Sequence, residues 1–469
     1  MRTTLEARVV IVGAGPVGLT LAGELGLRGV DVVVLERREV PSTESRASTL
    51  HARTMELLAL RGLLDEFGEL PHEPLGHFGG IPLDLNLPSP YAGQWKVPQT
   101  RTTAILRTWA VDLGVVVLDG HSLVNVTTTP SGIEARVDSR HGSRNLLASY
   151  LVGCDGETGT TARLMNTEFA GRSSDRQLHR VDVTGIDIRN RKFERLTSGL
   201  AIAARREDVT RVMVHEFGSN PADGRSDSTF DDIARIWERV TGEDIRSAKP
   251  QWVNSFGNAS QQAKQYRSGR LFLAGDAAHR QMPVGGQALN LGMQDAFNLG
   301  WKLAMAVCGS GDERLLDSYH DERHAVGARV LAGIEAQASL LLGGPEIEPL
   351  RSIFTALLET ESVQQQLAAT ISGLDIDYRR ERSPGQSTVC GSRVHPDVVA
   401  SDPRAADDLR QGRGAVIDFR PDCSPRWWQI IRPDGYEECE GIGSSPYSTF
   451  EEWHRFTQFD REPQRLETS

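Results

Sequence analysis

The sequence predicts an α/β protein, a class in which helices cover a mainly parallel sheet, and three observations support it. An apolar run at residues 9–12 leads into the pattern GAGPVG at 13–18, and a helical pattern and a second apolar run follow. A further strand-like run, at 271–274, ends in a glycine-containing turn that leads into another helical pattern. Residues 169–266 alternate strand-like runs with a charged helix and contain no further glycine fingerprint. We therefore expect two glycine-loop units and an inserted sheet.

The first glycine loop has the spacing GxGxxG directly after a strand. Gly13 allows the tight turn, Gly15 lets a backbone approach a pyrophosphate, and Gly18 permits close packing of the helix. Pro16 and Val17 begin the helix, whose N-terminus favours an anion. This arrangement predicts a Rossmann-like dinucleotide-binding unit.

The second strand of this unit, predicted at 30–35, ends at an acidic residue. Glu36 stands where a carboxylate can accept hydrogen bonds from ribose hydroxyls, and Arg37 follows it. A carboxylate at that place suits an unphosphorylated ribose. The ligand predicted for this unit is therefore a dinucleotide with a free ribose.

The second glycine loop lies between the strand at 271–274 and a helix predicted from about 290 to 307. Asp276 at the strand end could accept hydrogen bonds from a polyol chain. Gly285 and Gly286 allow the backbone to come close to a ligand. The backbone N–H groups near the helix start favour an electron-rich partner.

Composition excludes several classes of function. A net charge of −11 argues against a nucleic acid or an anionic membrane surface as partner. The five cysteines are odd in number, widely spaced and without a C-x-x-C pair, which fits a reducing cytoplasm. No secretory leader or membrane-spanning segment is expected. His320 and His324 are four apart on a predicted helix, but they do not form H-E-x-x-H, so no metal site is predicted.

The motifs of the second loop also resemble those of a known family. GDAAH, P-x-GGQ-x-LN and QDAFNLGWKLA, together covering about 35 positions, resemble the second flavin signature of FAD-dependent aromatic hydroxylases with the para-hydroxybenzoate hydroxylase fold. The resemblance implies FAD as cofactor, with Asp276 holding the ribityl chain. It also implies that a loop lies against the isoalloxazine, with the residues Pro283, Gly285, Gly286, Gln287, Ala288, Leu289 and Asn290.

The resemblance extends to other segments. It implies that Arg46 approaches the cofactor and substrate channel, that Gln99 contacts the flavin, and that the backbone of Leu123 meets the adenine. Asp155, in SYLVGCDG, would serve both FAD and the nicotinamide cofactor. His77 is the candidate substrate-binding residue, and no side chain is assigned as a catalytic acid or base. The sequence departs from the family pattern at Thr103, Ala162, Met282 and Ala288.

Three stretches narrow the resemblance to hydroxylases that act on angucyclines and related aromatic polyketides. They are FGGIPLDL, VPQTRTTAILRTWAVDLGV and the long segment that begins IWERVTGEDIRSAKPQW. The implied function is FAD-dependent hydroxylation of an aromatic polyketide with NADPH or NADH and dioxygen, in antibiotic biosynthesis. Two alternatives stay open. The first is Baeyer–Villiger oxygenation of a polyketide ketone, and the second is a flavin-fold protein that binds a polyketide without oxygenase turnover.

The predicted organisation has three parts. Residues 1–168 and 267–378 form a discontinuous FAD-binding domain, and 169–266 form an inserted substrate-binding β-sheet domain. Residues 379–469 begin with a linker at 379–390 and resemble a shortened thioredoxin-like C-terminal domain. Because this tail lacks a redox C-x-x-C, we expect it to have a structural role, such as an oligomer contact, and not to carry out disulfide chemistry. The protein is expected to be a monomer or a homodimer.

Overall fold

The computed structural model describes most of the chain, in the ranges 5–42, 47–219, 228–378, 391–419 and 427–442. The predictions made for Arg46, for the linker at 379–390 and for the tail beyond residue 442 lie outside the described residues.

The first part of the chain contains the predicted βαβ unit and the strands that follow it. Its elements, in chain order, are β1 Leu5–Glu6, β2 Val9–Val12, α1 Pro16–Gly26, β3 Val32–Glu36, β4 Thr49–His51, α2 Ala52–Leu60, α3 Leu64–Phe67, β5 His72–Glu73, β6 Leu75–Phe78, β7 Ile81–Asp84, β8 Gln94–Lys96, α4 Gln99–Asp112, β9 Val116–Asp119, β10 His121–Thr129, β11 Gly132–Ser139, β12 Gly142–Ala148, β13 Tyr150–Gly153 and α5 Thr161–Leu164. The order β2, α1, β3 confirms the predicted unit.

The middle part is mainly antiparallel sheet. Its elements are β14 Phe169–Arg172, β15 Gln177–Thr184, β16 Arg191–Arg195, β17 Gly199–Arg206, β18 Val209–Glu216, α6 Phe230–Thr241, β19 Lys249–Gly257 and β20 Ser260–Ala263. Helix α6 begins at a capping box in which Thr229 and Asp232 satisfy each other's backbone N–H groups. The charged helix expected in this part is therefore present, with a capped start.

The chain then returns to the first sheet and ends in a small tail. The elements of the return are β21 Arg267–Ser268, β22 Leu271–Leu273, β23 His279–Gln281, α7 Gln287–Val307, α8 Glu313–Leu342, α9 Glu348–Leu357 and α10 Glu361–Ser372. The described tail contains α11 Pro396–Ala400, α12 Pro403–Arg410, β24 Ala415–Asp418, β25 Trp427–Ile431 and β26 Glu437–Ile442. Helix α7 starts three residues earlier than predicted, so the positions from Gln287 to Asn290 form its first turn.

The central sheet has the strand order β21-β22-β13-β2-β3-β9. All its neighbours pair in parallel except β21 and β22. Its inner strands are nearly continuous apolar runs, as expected for strands covered on both faces, and all four residues of β2 are buried. This parallel sheet confirms the α/β class.

A second sheet, with the order β16-β17-β18-β15-β19, is antiparallel throughout. One face packs on α6, where Val181, Val212 and Trp237 share a buried cluster. The other face belongs to a different cluster, in which Leu178 and Ile202 pack with Met282 and Val284 of the second glycine loop. The sheet therefore covers that loop.

Buried charges hold the tail on the first part of the chain. Glu24 is paired with Arg28 at 2.9 Å and with Arg61 at 2.5 Å. The same arginines donate to tail carbonyls: Arg28 to Gly412 at 2.5 Å and Arg61 to Pro433 at 2.8 Å. Separating the tail would remove the carbonyl partners of Arg28 and Arg61 and leave them paired with Glu24 alone, and the loss of hydrogen bonds to charged donors is costly.

Among the described residues, one helix, α8, is long and apolar enough to cross a membrane by length and composition. However, 56% of its most apolar window is buried inside the protein, as in the core helix of a globular fold.

Candidate functional site

The first glycine loop is tightly packed at two of its glycines and has open space at the third. Gly13 has φ +106°, and a Cβ there would overlap the carbonyl group of Cys154. A Cβ on Gly18 would overlap the carbonyl oxygen of Gly13. At Gly15 a Cβ would meet nothing within 4 Å. The loop therefore leaves space at Gly15, beside the N-terminus of α1 and its exposed N–H groups.

Glu36 lies next to this loop, as the sequence predicts. Its Oε2 accepts a hydrogen bond from the backbone N–H of Ala14 at 3.0 Å, and its Oε1 accepts one from Arg38 N–H at 2.9 Å. Arg37 is exposed. On the neighbouring strand, Asp119 pairs with Glu36 in register and binds Arg107 through both oxygens. The carboxylate of Glu36 is thus fixed at the carboxyl end of β3.

The turn that holds Asp276 touches the start of α1. Gly275 has φ +63°, and a Cβ there would lie 2.9 Å from Val17. A Cβ on Gly292 of α7 would lie 2.7 Å from the same Val17 side chain and 3.0 Å from the Cα of Gly275. Asp276 is exposed although its neighbours Gly275 and Ala277 are buried. Its side chain therefore points outward at the place where the two glycine loops meet.

Helices α1 and α7 run in the same direction. The position of Gly292 lies against Val17, and eight residues later Gly300 lies against Glu24. Because the contacts advance together along both helices, the two N-termini lie at the same end of the pair. An extended ligand can therefore reach both helix starts.

The second glycine loop is fastened by a strand distant in sequence. Gly285 and Gly286 have φ +66° and +71°. His51, at the end of β4, donates from Nε2 to the carbonyl oxygen of Gly285 at 2.7 Å. Asn290 accepts from His51 N–H at 2.9 Å and donates to the carbonyl oxygens of Thr49 and Gly286 at 3.0 and 2.7 Å. The loop geometry therefore depends on β4.

His51 was not singled out from the sequence, although it directly precedes the helical pattern of α2. Its side chain is buried, and burial lowers the pKa of His51 to about 4, with a further decrease from the charge of Lys96. The imidazole is therefore neutral near pH 7. Because Nε2 carries the proton, Nδ1 is an acceptor, and it is buried with no partner among the described residues. Such an atom is available to a ligand.

His77, the candidate substrate residue, lies at the edge of the same region. Its ring centroid is 4.2 Å from that of Phe193 on the second sheet. Burial lowers the pKa of His77 to about 4, helped by Lys96 and His51. Both imidazoles are therefore neutral near pH 7, and both lie close enough to Lys96 for its charge to lower their pKa.

Buried polar groups hold the rest of the second loop. Gln287 accepts from Gln337 of α8 at 2.8 Å. Pro283 is exposed, whereas Ala288 and Leu289 are half-buried in the first turn of α7. Met282, one of the departures from the family pattern, is buried in the cluster under the second sheet. These positions lie together, as the resemblance implies.

The segments around Gln99 and Leu123 flank the first unit. Gln99 accepts at Oε1 from Ala47 N–H at 3.1 Å, and its own N–H donates to the Ala47 carbonyl at 3.0 Å. Thr103, one turn further along α4, donates to the carbonyl of Gln99 at 2.8 Å. Leu123 is buried in β10, next to an irregularity in the strand register.

Asp155 lies directly behind the first glycine loop. Its Oδ2 accepts hydrogen bonds from the N–H groups of Thr160 and Thr161 and from the Thr161 hydroxyl, at 2.7 to 2.9 Å. Its Oδ1 is buried with no partner among the described residues. Ala162 is buried in the core, so a charged side chain there would be desolvated, and Arg163 beside it is exposed. The positive charge of helix α5 is therefore carried by Arg163.

A buried ionic network lies under the Asp276 turn. Asp295 of α7 pairs with Arg323 and His279, each at 2.7 Å, and accepts from Gly275 N–H at 3.1 Å. Burial alone would raise the pKa of the Asp295 carboxyl, but Arg323 and His279 hold it below its ordinary value. Arg323 also donates to the Tyr378 hydroxyl at 2.9 Å. This network holds the turn in place through the hydrogen bond between Asp295 and Gly275. Its residues were not identified from the sequence.

The residues present fit FAD. The open position at Gly15 leaves room for a pyrophosphate at a helix start, and Glu36 lies beside it. Asp276 points outward between the two units. Beyond it lies a positive-φ loop beside the buried Nδ1 of His51, an acceptor that has no partner in the part of the chain that the structure describes. These features can hold the phosphates, the ribityl chain and the ring system of one extended dinucleotide.

Comparisons with known proteins agree with this geometry. The chain belongs to the family described as FAD binding domain, whose model matches residues 6–333. A rifampicin monooxygenase from Streptomyces venezuelae is 34% identical over 91% of this chain and 94% of its own. A dialkyldecalin synthase from Streptomyces rugosporus is 37% identical over 88% of this chain and 87% of its own. The crystal structure of CabE, an aromatic hydroxylase from angucycline biosynthesis, has a TM-score of 0.87 and 34% identity, with 95% and 99% coverage.

The fold, the family and the named relatives define the class of the protein. It is a flavoprotein monooxygenase with FAD as cofactor. The predicted fold class and the prediction of FAD as cofactor are confirmed.

Proposed function

We propose that this protein hydroxylates an aromatic polyketide in antibiotic biosynthesis, with NADPH or NADH as reductant and dioxygen as oxidant. The observation that supports the proposal most is the apolar lining where the second sheet packs over Met282 and Val284 of the second glycine loop. Phe193, Met213 and Phe256 are half-buried there against Met282 and Val284. This lining suits a flat aromatic ligand held against the cofactor ring.

The chain's own residues have distinct roles in this proposal. Gly13, Gly15, Gly18 and Glu36 hold the adenosine end and the pyrophosphate, and Asp276 accepts from the ribityl hydroxyls. Further contacts to FAD come from the side chain or backbone of Pro16, Val17, Arg37, Arg46, Gln99, Leu123 and Asp155.

The second loop holds the ring system, with Pro283, Gly285, Gly286 and the first turn of α7 from Gln287 to Asn290. His51 fixes the Gly285 carbonyl. Bound FAD supplies the redox chemistry, namely acceptance of a hydride and activation of dioxygen. The protein supplies position and excludes water, through the sheet that covers the loop.

The overall reaction consumes one substrate, one NAD(P)H, one proton and one dioxygen, and it yields one hydroxylated product, one NAD(P)+ and one water. The test is anaerobic mixing of holoenzyme with NADPH or NADH, with and without an angucyclinone, followed by oxygen and product analysis. Faster bleaching of the flavin with substrate, and one oxygen on a ring carbon, are expected. Bound FAD that neither nicotinamide reduces with any aromatic polyketide would contradict the proposal.

Product structure separates the first alternative from this proposal. An ester or lactone would assign Baeyer–Villiger oxygenation, because both reactions add one oxygen atom and differ only in where it is placed.

A second candidate is supported by one relative that carries the name of a synthase. This candidate is a synthase, in which FAD has a structural role and the bound ligand is rearranged without net oxidation. The candidate predicts product formation without consumption of NAD(P)H or dioxygen. Measurement of oxygen uptake during turnover separates the two functions.

A further inference from the structure

The inner face of the second sheet changes in chemical character from one edge to the other. Strand pairing places Asn254 opposite Arg180, Arg180 opposite Met213, and Met213 opposite Ile202. The irregularity in β16 between Arg191 and Glu194 leaves two residues, Lys192 and Phe193, beside Ile202, and Phe193 packs against the cluster that contains Ile202. Directly paired residues of an antiparallel sheet lie on the same face. We call this row of five residues the roof row: Phe193, Ile202, Met213, Arg180 and Asn254.

The roof row faces the second glycine loop. Ile202, Met213 and Phe193 belong to the cluster that contains Met282 and Val284, whereas their strand neighbours, such as Val212 and Ala203, pack on α6. The row therefore lies above the space assigned to the substrate.

The first end of the row is aromatic and apolar. Phe193 has φ +46°, a left-handed conformation that is strained for a residue with a bulky side chain. This conformation directs its ring onto His77, at a centroid distance of 4.2 Å. Because His77 is neutral at pH 7, the pair presents an uncharged aromatic wall.

The other end of the row carries a cation within an aromatic frame. The guanidinium of Arg180 lies 4.0 Å from the ring centroid of Trp252 and 6.0 Å from that of Phe256. Arg180 is buried, and Asn254 stands beside it with donor and acceptor groups. The N–H donors of a guanidinium lie in its own plane. A guanidinium stacked on an aromatic ring therefore directs them sideways, where the edge of a flat ligand can accept hydrogen bonds.

The two ends are separated by three inter-strand spacings, because β17 and β18 lie between β16 and β15. At roughly 4.8 Å per spacing this separation is about 14 Å. A single aromatic ring cannot span such a distance, whereas several fused rings can.

We propose that the roof row selects and orients a flat polycyclic aromatic ligand that carries an acidic oxygen at one end. The acidic oxygen, a phenol conjugated with a carbonyl or an enolised 1,3-dicarbonyl, binds Arg180 as the anion, and the apolar rings pack on Phe193 and His77. The inference rests on the proposed function, since it specifies the substrate class of the same site. Charge-assisted bonding to a planar guanidinium is the interaction that distinguishes the anion from a neutral ether.

The test measures ligand binding to oxidised holoenzyme by perturbation of the flavin absorbance, so it needs no turnover. The probes are 2-hydroxyanthraquinone and 2-methoxyanthraquinone at a pH where the phenol is ionised. Wild-type protein should bind the hydroxy probe at least about tenfold more tightly than the methoxy probe, the range expected for a hydrogen bond to a charged group. R180M should remove this preference, and R180K should keep part of it.

Two further variants complete the experiment. F193L should weaken binding of both probes by about three- to tenfold, with the preference between them unchanged, because it removes only ring stacking. R205M is the matched control, since Arg205 is an exposed arginine of β17 in the same sheet and its replacement should change neither affinity. FAD content and cooperative unfolding are checked for each variant.

An R180M protein that keeps the wild-type preference, or an F193L protein with wild-type affinity for both probes, would overturn the inference. Failure of wild-type protein to bind either probe would do so as well. Hydroxylation of an aromatic polyketide by wild-type protein tests the proposed function separately, so a failed roof row leaves that function intact.

Discussion

The two glycine loops both precede a helix and have the same role in the proposed site, to bring backbone close to a ligand, but they are built differently. The loop before α1 is fixed by its own backbone, because Gly13 and Gly18 pack against carbonyl groups. The loop before α7 is fixed by side chains from elsewhere, chiefly His51 and, through α7, Asp295. The first loop therefore depends on local sequence, and the second depends on tertiary contacts and buried charge.

The largest expected effect is a decrease in the free energy of unfolding when the buried network of Asp295, Arg323 and His279 is broken. Asp295→Asn would leave Arg323 buried without its counter-ion, and breaking such a pair costs about 3–5 kcal/mol. Denaturant unfolding of holoenzyme should show this loss. Asp187→Asn, which removes an exposed pair with Arg205, should cost at most about 1 kcal/mol. Equal effects of the two variants would mean that the buried network does not support the fold.

The second effect is a dependence of stability on pH. The pKa of His51 is lowered by burial to about 4, against an ordinary value of 6.5, so the unfolded chain binds more protons between these values. Its contribution to stability is present above pH 6.5 and is lost as the pH falls toward 4, by up to about 1.4 kcal/mol per pH unit. Urea unfolding of wild type and His51→Gln between pH 4 and 7.5 measures the difference.

In the His51→Gln protein the unfolding free energy should fall less steeply with acid. The exposed His141 offers a matched control, since His141→Gln should leave the slope unchanged. A His51→Gln protein with the wild-type slope would show that this imidazole is not buried as described.

A smaller effect tests the local construction of the first loop. Gly18→Ala places a methyl against the Gly13 carbonyl and should cost about 1–3 kcal/mol, as overpacking does. Gly15→Ala meets nothing within 4 Å and should change the unfolding free energy by less than about 0.5 kcal/mol. Thermal unfolding of the two variants compares them directly, and a destabilising Gly15→Ala would contradict the open geometry.

The same contrast explains what the sequence could and could not predict. The βαβ unit, Glu36 and the turn at Asp276 were predicted because spacing along the chain determines them. His51 was missed because its partner Gly285 is 234 positions away, and no local pattern connects them. The roof row was missed for a related reason, since strand register brings Arg180 and Phe193 to one face only after the sheet forms.

The start of α7 shows the limit of periodicity. The apolar pattern predicted a helix from about 290, but the helix begins at Gln287, because Gly286 in a left-handed conformation provides the N-cap. The residues assigned to the flavin-edge loop are thus divided between a loop and a helical turn. Their closeness to each other was predicted, and their backbone conformation was not.

We propose that both loops hold one FAD. Asp276 lies where the two loops meet, so its replacement tests whether they bind the same molecule. Asp276→Ala should weaken FAD binding by about 1.5–3 kcal/mol through loss of a charged acceptor, with little change in unfolding of the apoprotein. Titration of apoprotein with FAD measures the change. Wild-type affinity in this variant would remove Asp276 from the site.

The most direct measurement is the FAD content of purified Gly15→Val protein, read from the visible flavin absorbance. The branched side chain should occupy the space left for the pyrophosphate, and its Cβ meets no protein atom within 4 Å. Gly333→Val is the control, since a Cβ there also meets nothing within 4 Å. We predict a yellow wild type, a yellow Gly333→Val and a colourless Gly15→Val that still unfolds cooperatively. A Gly15→Val protein with full FAD content would contradict the account.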